Sequence, residues 1–255
     1  MKPSKKKLLI FIISYKASHR LDDVFKRIPF EKLKNYKAEI LISDDFSKDD
    51  SILYAKKIKK KNLNKNITIN ENKKNLGYGA HIKKCLNFSL KYKFNYAVMI
   101  HGDGQYDPKY IPALIKKFEK DNNIGACTGS RIFKGINNAT KGGMPIYKLI
   151  GNVILTKIFN FLTNKKYTDA HTGLWVYNMN FLKDKKYNLL TDSFNFDQDF
   201  RFMNIMKGRT IREIPIKTKY GDERSQMHIK YAVKFFFNSL IFFLIKIKLI
   251  NSKKY

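Results

Sequence analysis

The sequence predicts an α/β protein with a mostly parallel sheet and helices on both of its faces. Short apolar runs of strand length alternate with longer, lysine-faced helical segments through the first 130 residues. Several of the apolar runs end in polar residues, such as Asp44, Asp103 and Arg131. Strands that alternate with helices pair in parallel, so their carboxyl ends share one rim, where ligands bind. The same pattern therefore predicts both the fold class and the place of a site.

The predicted elements follow one another in chain order. We expect strands over residues 7–14, 38–43, 67–70, 96–100 and 124–129, and helices over residues 19–28, 51–61, 80–93 and 110–120. The second half is less regular, with helices over 146–162 and 196–207 and strands over 168–178 and 210–219. Pro215 indicates that the last strand lies at an edge, because proline cannot donate a hydrogen bond to a neighbouring strand.

The composition is that of a folded protein with one sizeable core. The chain has 255 residues, and 44% of them are hydrophobic, which excludes a disordered chain. The two cysteines, Cys85 and Cys127, are far apart and lack the spacing of metal ligands. We expect them to be reduced core residues of a cytosolic protein.

The formal net charge of +30 has two interpretations. Much of the lysine could simply be solvated surface in a chain rich in Lys, Asn and Ile. Alternatively, the charge attracts an anionic partner such as nucleic acid, a phosphorylated substrate or an acidic membrane. A nucleic-acid-binding protein is thus the alternative of another class. No nucleic-acid-binding motif is found and the aromatic residues are not interleaved with basic ones, so we expect no nucleic-acid partner.

The stretch HGDGQ, residues 101–105, ends the fourth apolar run. Asp103 lies between two glycines, so a cation could approach its carboxylate without obstruction, and Gln105 could add a second oxygen. The same residue types are typical of a turn, and both interpretations stay open at this point.

Two other segments end at the same predicted rim. Asp44 and Asp45 follow the second strand and could bind a ribose or a base, or could cap the next helix. The turn NLGYGA, residues 75–80, opens a helix, so its amides could face a phosphate, although such turns are common. Together with residues 101–105, these segments predict a nucleoside diphosphate bridged by a divalent ion.

Four segments in order resemble those of family-2 glycosyltransferases: LISDDFSKDDS, NLGYGAHIKKCL, MIHGDGQYDP and GSRIF. The resemblance is greatest to the branch of dolichyl- or polyprenyl-phosphate mannose synthases, and it covers residues 7 to about 225. It implies a glycosyltransferase A fold, a nucleotide-sugar donor, and Mg²⁺ or Mn²⁺ as cofactor.

The resemblance also implies roles on the donor side. Residues of the donor-binding set would be Ser14, Tyr15, Asp44, Asp45, Asn75, Gly77 and Gly79. Asp103, as a catalytic residue, and Gln105 would hold the metal. This chain has His101 where the family has the first Asp of its Asp-x-Asp motif. Histidine can ligate Mn²⁺ but suits Mg²⁺ poorly, so His101 is either a third ligand or a hydrogen-bond partner of a phosphate or the sugar.

On the acceptor side, the resemblance places Arg131 at an acceptor phosphate. Lys148 and Asn152, on the helix after the loop GGMP, would add further contacts. Arg224, in the polar loop GDERS, could close over phosphate or simply be exposed. His171 is a candidate for sugar contact, with a structural role as the alternative.

The second catalytic candidate, Asp197, depends on the acceptor. A sugar hydroxyl needs a general base, and Asp197 matches the region where hydroxyl-acceptor relatives carry one; otherwise it is a helix N-terminal charge. A polyprenyl phosphate is already anionic and needs little base. We expect a lipid-linked acceptor, polyprenyl phosphate, and keep a sugar hydroxyl in cell-surface polysaccharide or lipopolysaccharide synthesis as the alternative. A nucleotidyltransferase is disfavoured, because LLIFIISYKASHR lacks a signature rich in glycine and arginine.

The chain divides into a predicted catalytic domain, residues 1–228, and a basic and apolar tail, residues 229–255. Residues 235–245 carry no charge and are bracketed by lysines. This run is shorter than the roughly 20 residues of a simple membrane span. We expect a helix in the membrane interface with its lysines on anionic headgroups, which places the protein on the inner face of the cell membrane. A tilted span and burial against the domain are the alternatives.

Overall fold

The computed structural model describes residues 4–220 and 229–252. Its strands are β1 Lys7–Ser14, β2 Lys37–Asp44, β3 Ile67–Glu71, β4 Tyr96–His101, β5 Ile124–Ser130, β6 Trp175–Asn178 and β7 Thr210–Pro215. They form one seven-stranded sheet in the order β3-β2-β1-β4-β6-β5-β7. β6 runs antiparallel to both of its neighbours, and the other pairs are parallel. The position of β7 at an edge confirms the prediction from Pro215.

Helices cover both faces of this sheet. They are α1 Ser18–Lys26, α2 Ser51–Lys61, α3 Tyr78–Lys91, α4 Ile111–Ile115, α5 Ile136–Thr140, α6 Ile146–Thr163, α7 Phe196–Met206 and α8 Ile229–Lys246. β1 reads as a continuous apolar run because successive side chains point to opposite faces and both faces are buried. Its even-numbered residues pack in the core with α1, α2 and α4, and Leu9, Phe11 and Ile13 pack in the core with α3 and α7. Cys85 and Cys127 are free and buried in these cores, as predicted.

The predicted strand over 168–178 is wrong for its first seven residues. Only Trp175–Asn178 forms a strand. The amides of Thr168 and Asp169 donate to the carboxylate of Glu213, at 2.7 and 3.1 Å, and so do not pair with a strand. The helix expected over 110–120 is also shorter, because α4 lies between two 3₁₀ turns. The short helix α5 was not predicted.

The apolar C-terminal helix α8 packs against the rest of the protein along one face. The Phe242 ring stacks on Phe202 of α7, with 3.9 Å between ring centroids. Gln198 of α7 donates to the carbonyl of Phe235 at 2.9 Å and to Ser239 Oγ at 2.7 Å. One face of this helix is therefore buried against the domain, as the alternative prediction for the tail had it. Among the described residues, no helix has both the length and the apolar character that a membrane span requires.

Candidate active site

The carboxyl ends of three neighbouring strands bring the predicted rim together. In the paired register, Ser14 at the end of β1 lies beside Asp44, and Ile13 lies beside His101. Ser14 Oγ is 3.3 Å from Ser51 Oγ. Tyr15 is half-buried, and the Lys16 ammonium lies 5.4 Å from the centre of its ring. The rim thus follows from parallel pairing, as the sequence predicts.

The two aspartates after β2 have separate partners. Asp44 is buried, and its carboxylate accepts hydrogen bonds from the hydroxyl of Ser47 and, at 2.8 Å, from the Ser47 amide. It therefore closes the loop after β2 and does not cap the next helix, α2, whose N-cap residue is Asp50. Asp45 is also buried, and its Oδ1 accepts from the Asn72 side chain at 2.8 Å and from the Leu76 amide at 2.9 Å. Asp45 thus joins the end of β2 to the glycine turn at residues 75–80.

The amides of this glycine turn bind protein acceptors. The Gly77 amide lies 3.0 Å from Asp45 Oδ2 and also 3.0 Å from Asn75 Oδ1. The amides of Gly79 and Ala80 donate to the Asp192 carbonyl, at 2.8 and 3.3 Å. The hypothesis that these amides face a phosphate therefore needs correction, because backbone and carboxylate oxygens already occupy them.

Glycine is required at positions 77 and 79 for steric reasons instead. Gly77 has φ +86°, a conformation that side chains disfavour. A Cβ built at Gly79 would lie 2.4 Å from the carbonyl oxygen of Thr191. The turn can therefore pack directly against the backbone that precedes α7.

Asp103 and His101 form the candidate metal site. Asp103 is about one-third exposed at 33%, its Oδ1 accepts from the Gln105 amide at 2.9 Å, and its Oδ2 lies 3.9 Å from His101 Nδ1. Burial lowers the pKa of His101 against the opposing effect of Asp103, so the neutral ring keeps a lone pair. Gln105 is half-buried and reaches the site with its backbone.

This donor set fits a divalent cation that shares its coordination with substrate. Within residues 4–220 and 229–252, no group of three or more His, Cys, Asp or Glu side chains could hold a metal. Besides the predicted Gln105 oxygen, one carboxylate and one neutral imidazole remain, which leaves much of a coordination shell to substrate oxygens and water. An imidazole ligand suits Mn²⁺ better than Mg²⁺.

Asp197, at the start of α7, has the properties of a general base. Its Oδ2 accepts from the Tyr78 hydroxyl at 2.8 Å. Its Oδ1 is buried and has no hydrogen-bond partner among the described residues. Burial raises the pKa of Asp197 to about 7, although the Tyr78 hydrogen bond and the charge of Arg201 lower it. A carboxyl that titrates near neutral pH suits proton abstraction.

Sequence reasoning missed Tyr78. Its hydroxyl lies between Asp197 and His101, 3.5 Å from His101 Nε2, and its ring stacks on Phe194 with 5.2 Å between centroids. Tyr78 occupies the variable position between Gly77 and Gly79, so the motif gives no reason to select it. The signal that could have identified Tyr78 is the pair of glycines on either side of it, because they let the turn pack closely against the segment before α7.

Arg131 has a different environment from the one expected. It is buried in a bidentate pair with Asp169, with Nε 2.6 Å from Oδ2 and Nη2 2.8 Å from Oδ1. Its guanidinium also donates to the Tyr220 hydroxyl and the His171 carbonyl, both at 2.9 Å. Burial would raise the pKa of Asp169, but Arg131 outweighs it and holds the pKa below its ordinary value. These contacts argue against Arg131 as a ligand of an acceptor phosphate.

The remaining acceptor-side candidates lie on α6 and in the loop before β6, apart from Arg224. Burial and the charge of Arg131 lower the pKa of Lys148, so Lys148 lies near that guanidinium, and Asn152 follows one turn later on α6. His171 lies 4.7 Å from the Phe235 ring, and its two ring nitrogens are buried without hydrogen-bond partners among the described residues. Burial lowers the pKa of His171 to about 4. Arg224 lies outside the described residues.

An apolar groove runs between α5 and α6, the helix that carries Lys148. Its volume is about 290 Å³. It is lined by Ile136, Thr140, Ile146, Leu149, Ile150, Val153 and Ile154.

The family model described as "Glycosyl transferase family 2" matches residues 9–185. The chain belongs to glycosyl transferase family 2. This family 2 enzyme is therefore a glycosyltransferase, and the four motifs that indicated the family lie on one rim of its sheet. The finer resemblance to polyprenyl-phosphate mannose synthases stays a prediction.

Two relatives come from Methanocaldococcus jannaschii. The family 2 glycosyltransferase is 30% identical over 198 residues to "Uncharacterized protein MJ0544", covering 75% of this chain and 81% of that protein. It is 25% identical over 221 residues to "Uncharacterized protein MJ1222", covering 86% and 84%.

Solved structures confirm the predicted glycosyltransferase A fold. Glucosyl-3-phosphoglycerate synthase from Mycobacterium tuberculosis, in complex with UDP, has a TM-score of 0.65 at 10% identity over 97% of this chain and 82% of that one. The mannosyltransferase PcManGT from Pyrobaculum calidifontis, in complex with GDP-Man and Mn²⁺, has a TM-score of 0.61 at 12% identity over 98% and 66%. At these identities the likeness concerns the fold of the family 2 enzyme.

Proposed function

We propose that this family 2 glycosyltransferase moves a sugar from a nucleotide-sugar donor to a polyprenyl phosphate at an anionic membrane surface. On the donor side, the proposal is supported by the complexes of similar folds, which contain UDP, UDP-Glc or GDP-Man, several of them with Mn²⁺. Ser14, Tyr15 and Asp45 would line the nucleoside end of the site. Asp103 and His101 would hold Mn²⁺ or Mg²⁺, which when bound stabilises the leaving diphosphate.

The observation that carries the acceptor assignment is exposed apolar surface on two neighbouring helices. On α6, Ile146, Ile150 and Ile154 repeat every fourth residue and are 68, 54 and 51% exposed. On α8, Val233 and Ile241 flank Phe237 at the same spacing and are similarly exposed. Such stripes are expected to face other apolar material rather than water. Helix α8 thus contributes one face to the protein core and another to the proposed membrane contact.

The region around Lys148 matches an amphiphilic acceptor. The groove beside α6 would take part of an apolar chain, and the Arg131–Asp169 pair has no net charge. Lys148 therefore supplies the net positive charge at the proposed phosphate, with Asn152 one turn away. Exposed lysines on and just after α8, including Lys234 and Lys248, would attract anionic headgroups.

One observation favours a second candidate acceptor, a sugar hydroxyl. The carboxyl of Asp197 has a pKa of about 7, which suits a general base, and its Oδ1 has no hydrogen-bond partner among the described residues. A phosphate acceptor is already anionic and would not need Asp197 to remove a proton. The two acceptors share the donor site and differ in their need for this residue.

Two measurements test the proposed function. Protein incubated with radiolabelled UDP- and GDP-sugars, Mn²⁺ and polyprenyl phosphate should transfer label to an organic-extractable product. Strong transfer to a sugar hydroxyl with none to polyprenyl phosphate would overturn the acceptor assignment.

Membrane contact is tested separately with point variants, because Phe235 and Phe242 of α8 are buried and deletion would expose the core. Phe237→Asp combined with Ile241→Asp should abolish flotation with vesicles rich in phosphatidylglycerol. Leu63→Asp is the matched control, since Leu63 is an exposed apolar residue, 87% accessible, outside α6 and α8. Flotation of the double variant at about 0.5 M salt, where charge attraction is screened, would contradict the assigned face.

A further inference from the structure

The Tyr78 hydroxyl stands between the candidate metal site and the candidate base. It donates to Asp197 Oδ2 at 2.8 Å and lies 3.5 Å from His101 Nε2. The Tyr78 ring is fixed by stacking on Phe194, at an interplanar angle of 23°. The backbone bonds of the glycine turn to Asp192 hold the residue in place from the other side.

The direction of these hydrogen bonds determines the His101 tautomer. A tyrosine hydroxyl has one proton, and the ionised carboxylate of Asp197 accepts it here. His101 Nε2 can then interact favourably with the Tyr78 oxygen only as an N–H donor. A neutral imidazole has one ring proton, so Nδ1 is left with its lone pair.

The surroundings of His101 agree with this tautomer. Nδ1 lies 3.9 Å from Asp103 Oδ2, which is too long for an N–H···O hydrogen bond. Two electron-pair donors therefore face each other across a gap where a cation is needed to make the contact favourable. The ring lies between Tyr78 and Tyr106, at 5.7 and 5.4 Å between centroids, and it also hydrogen-bonds the backbone of Gly173, so it has little freedom to flip.

We propose that Tyr78 is a positioning residue: it fixes His101 as the Nε2–H tautomer, so that Nδ1 and Asp103 together face the divalent cation. The proposal rests on the metal site of the proposed function. It gives a reason why a histidine works at a position where the family has a carboxylate. A carboxylate presents lone pairs to a cation in any orientation. An imidazole has to be held so that its unprotonated nitrogen faces the cation.

The tautomer is measured in metal-free, nucleotide-free protein by ¹⁵N–¹H correlation spectra of the histidine rings, at a pH well above 7 so that Asp197 is ionised. His101→Gln identifies the signals of His101 by their loss. In the wild type, His101 should have an unprotonated Nδ1 and a protonated Nε2. Tyr78→Phe keeps the ring stack and removes the hydroxyl, so it should shift His101 toward a mixture of tautomers. Tyr106→Phe is the matched control, because Tyr106 contacts the same ring but its hydroxyl accepts from the Gly173 amide.

A second readout is the affinity for Mn²⁺ in the presence of UDP or GDP, measured by electron paramagnetic resonance. Loss of an outer partner of a ligand typically weakens binding about tenfold to a hundredfold, which we expect for Tyr78→Phe and not for Tyr106→Phe. An Nδ1–H tautomer in the wild type overturns the proposal. So does a Tyr78→Phe protein with unchanged tautomer and unchanged affinity. Failure of the proposed function would look different: the wild type would show the Tyr78-dependent tautomer but would bind no Mn²⁺ with either nucleotide.

Discussion

The proposed donor and acceptor sides of the rim differ in how fully the chain satisfies its own polar groups. On the donor side, the Asp45 carboxylate accepts hydrogen bonds from Asn72, Leu76 and Gly77. On the acceptor side, Asp197 Oδ1 and both ring nitrogens of His171 are buried without a partner among residues 4–220 and 229–252. A buried polar atom left unpaired costs roughly 1–3 kcal/mol.

This difference indicates which side is preorganised before a ligand binds. On the proposed donor side the carboxylate and the glycine turn bind each other, so we expect this side to accept a nucleotide with little rearrangement. The acceptor side keeps unpaired groups that a ligand or water can complete, at a cost in stability. Substitutions on the donor side should therefore alter folding or metal binding, and those on the acceptor side should alter rate.

The largest effect is expected for Asp103→Ala, which removes the single carboxylate of the candidate metal site. Metal stabilisation of a leaving group is worth several kcal/mol, so the transfer rate should fall on the order of 10³-fold. Calorimetry should show that Mn²⁺ no longer strengthens UDP or GDP binding. Asp107→Ala, a carboxylate in the same loop that caps a 3₁₀ turn, is the control and should keep this effect. Unchanged Mn²⁺-dependent binding in Asp103→Ala would refute the metal assignment.

Asp197→Asn tests whether the unpaired acceptor side performs base catalysis. With a sugar hydroxyl as acceptor, the rate should fall on the order of 10²-fold or more. The wild-type rate should rise with pH through about 7, because the base acts as the carboxylate, and the variant should lack this rise. With polyprenyl phosphate as acceptor, both the loss and the pH dependence should be small. A large loss with polyprenyl phosphate would show that Asp197 has another role.

Asp45→Asn tests the rigidity of the donor side. The variant keeps one acceptor oxygen but turns an NH₂ group toward an amide donor, so one buried hydrogen bond is lost. We expect the free energy of unfolding to fall by about 2 kcal/mol in urea titrations. Asp50→Asn, at an exposed aspartate of the same loop, should change it by less than about 0.5 kcal/mol. Equal stabilities of the two variants would mean that Asp45 does not hold the turn.

The smallest effect is expected for His101→Asp, which restores the family pattern. A carboxylate needs no tautomer, so the variant should keep activity and shift its preference from Mn²⁺ toward Mg²⁺. Rates at matched concentrations of the two ions measure the shift. Inactivity in both ions would show that His101 has a role other than metal ligation.

The order of the elements and the rim were predictable because they depend on local patterns. Apolar runs of strand length, helical periodicity and the polar residues after each strand located β1 to β5 and most helices within one or two residues. Asp103 and Asp197 were likewise selected from the sequence, and their roles remain predictions. In contrast, the pairing of Arg131 with Asp169 was not predictable, because residues 168–174 alternate like a strand, while the amides of Thr168 and Asp169 bind the distant Glu213.

By itself, the sequence determined the family, the parallel sheet and the carboxylates at its rim, because these follow from the spacing of neighbouring residues. Only the tertiary structure decided how the polar groups at that rim are used. Tyr78 reaches Asp197, 119 positions later in the chain, and His101, 23 positions later, because the glycine turn packs against the segment before α7. Hydrogen-bond partners so far apart in the chain leave no periodic signal, and burial, which raises the pKa of Asp197, depends on the whole fold.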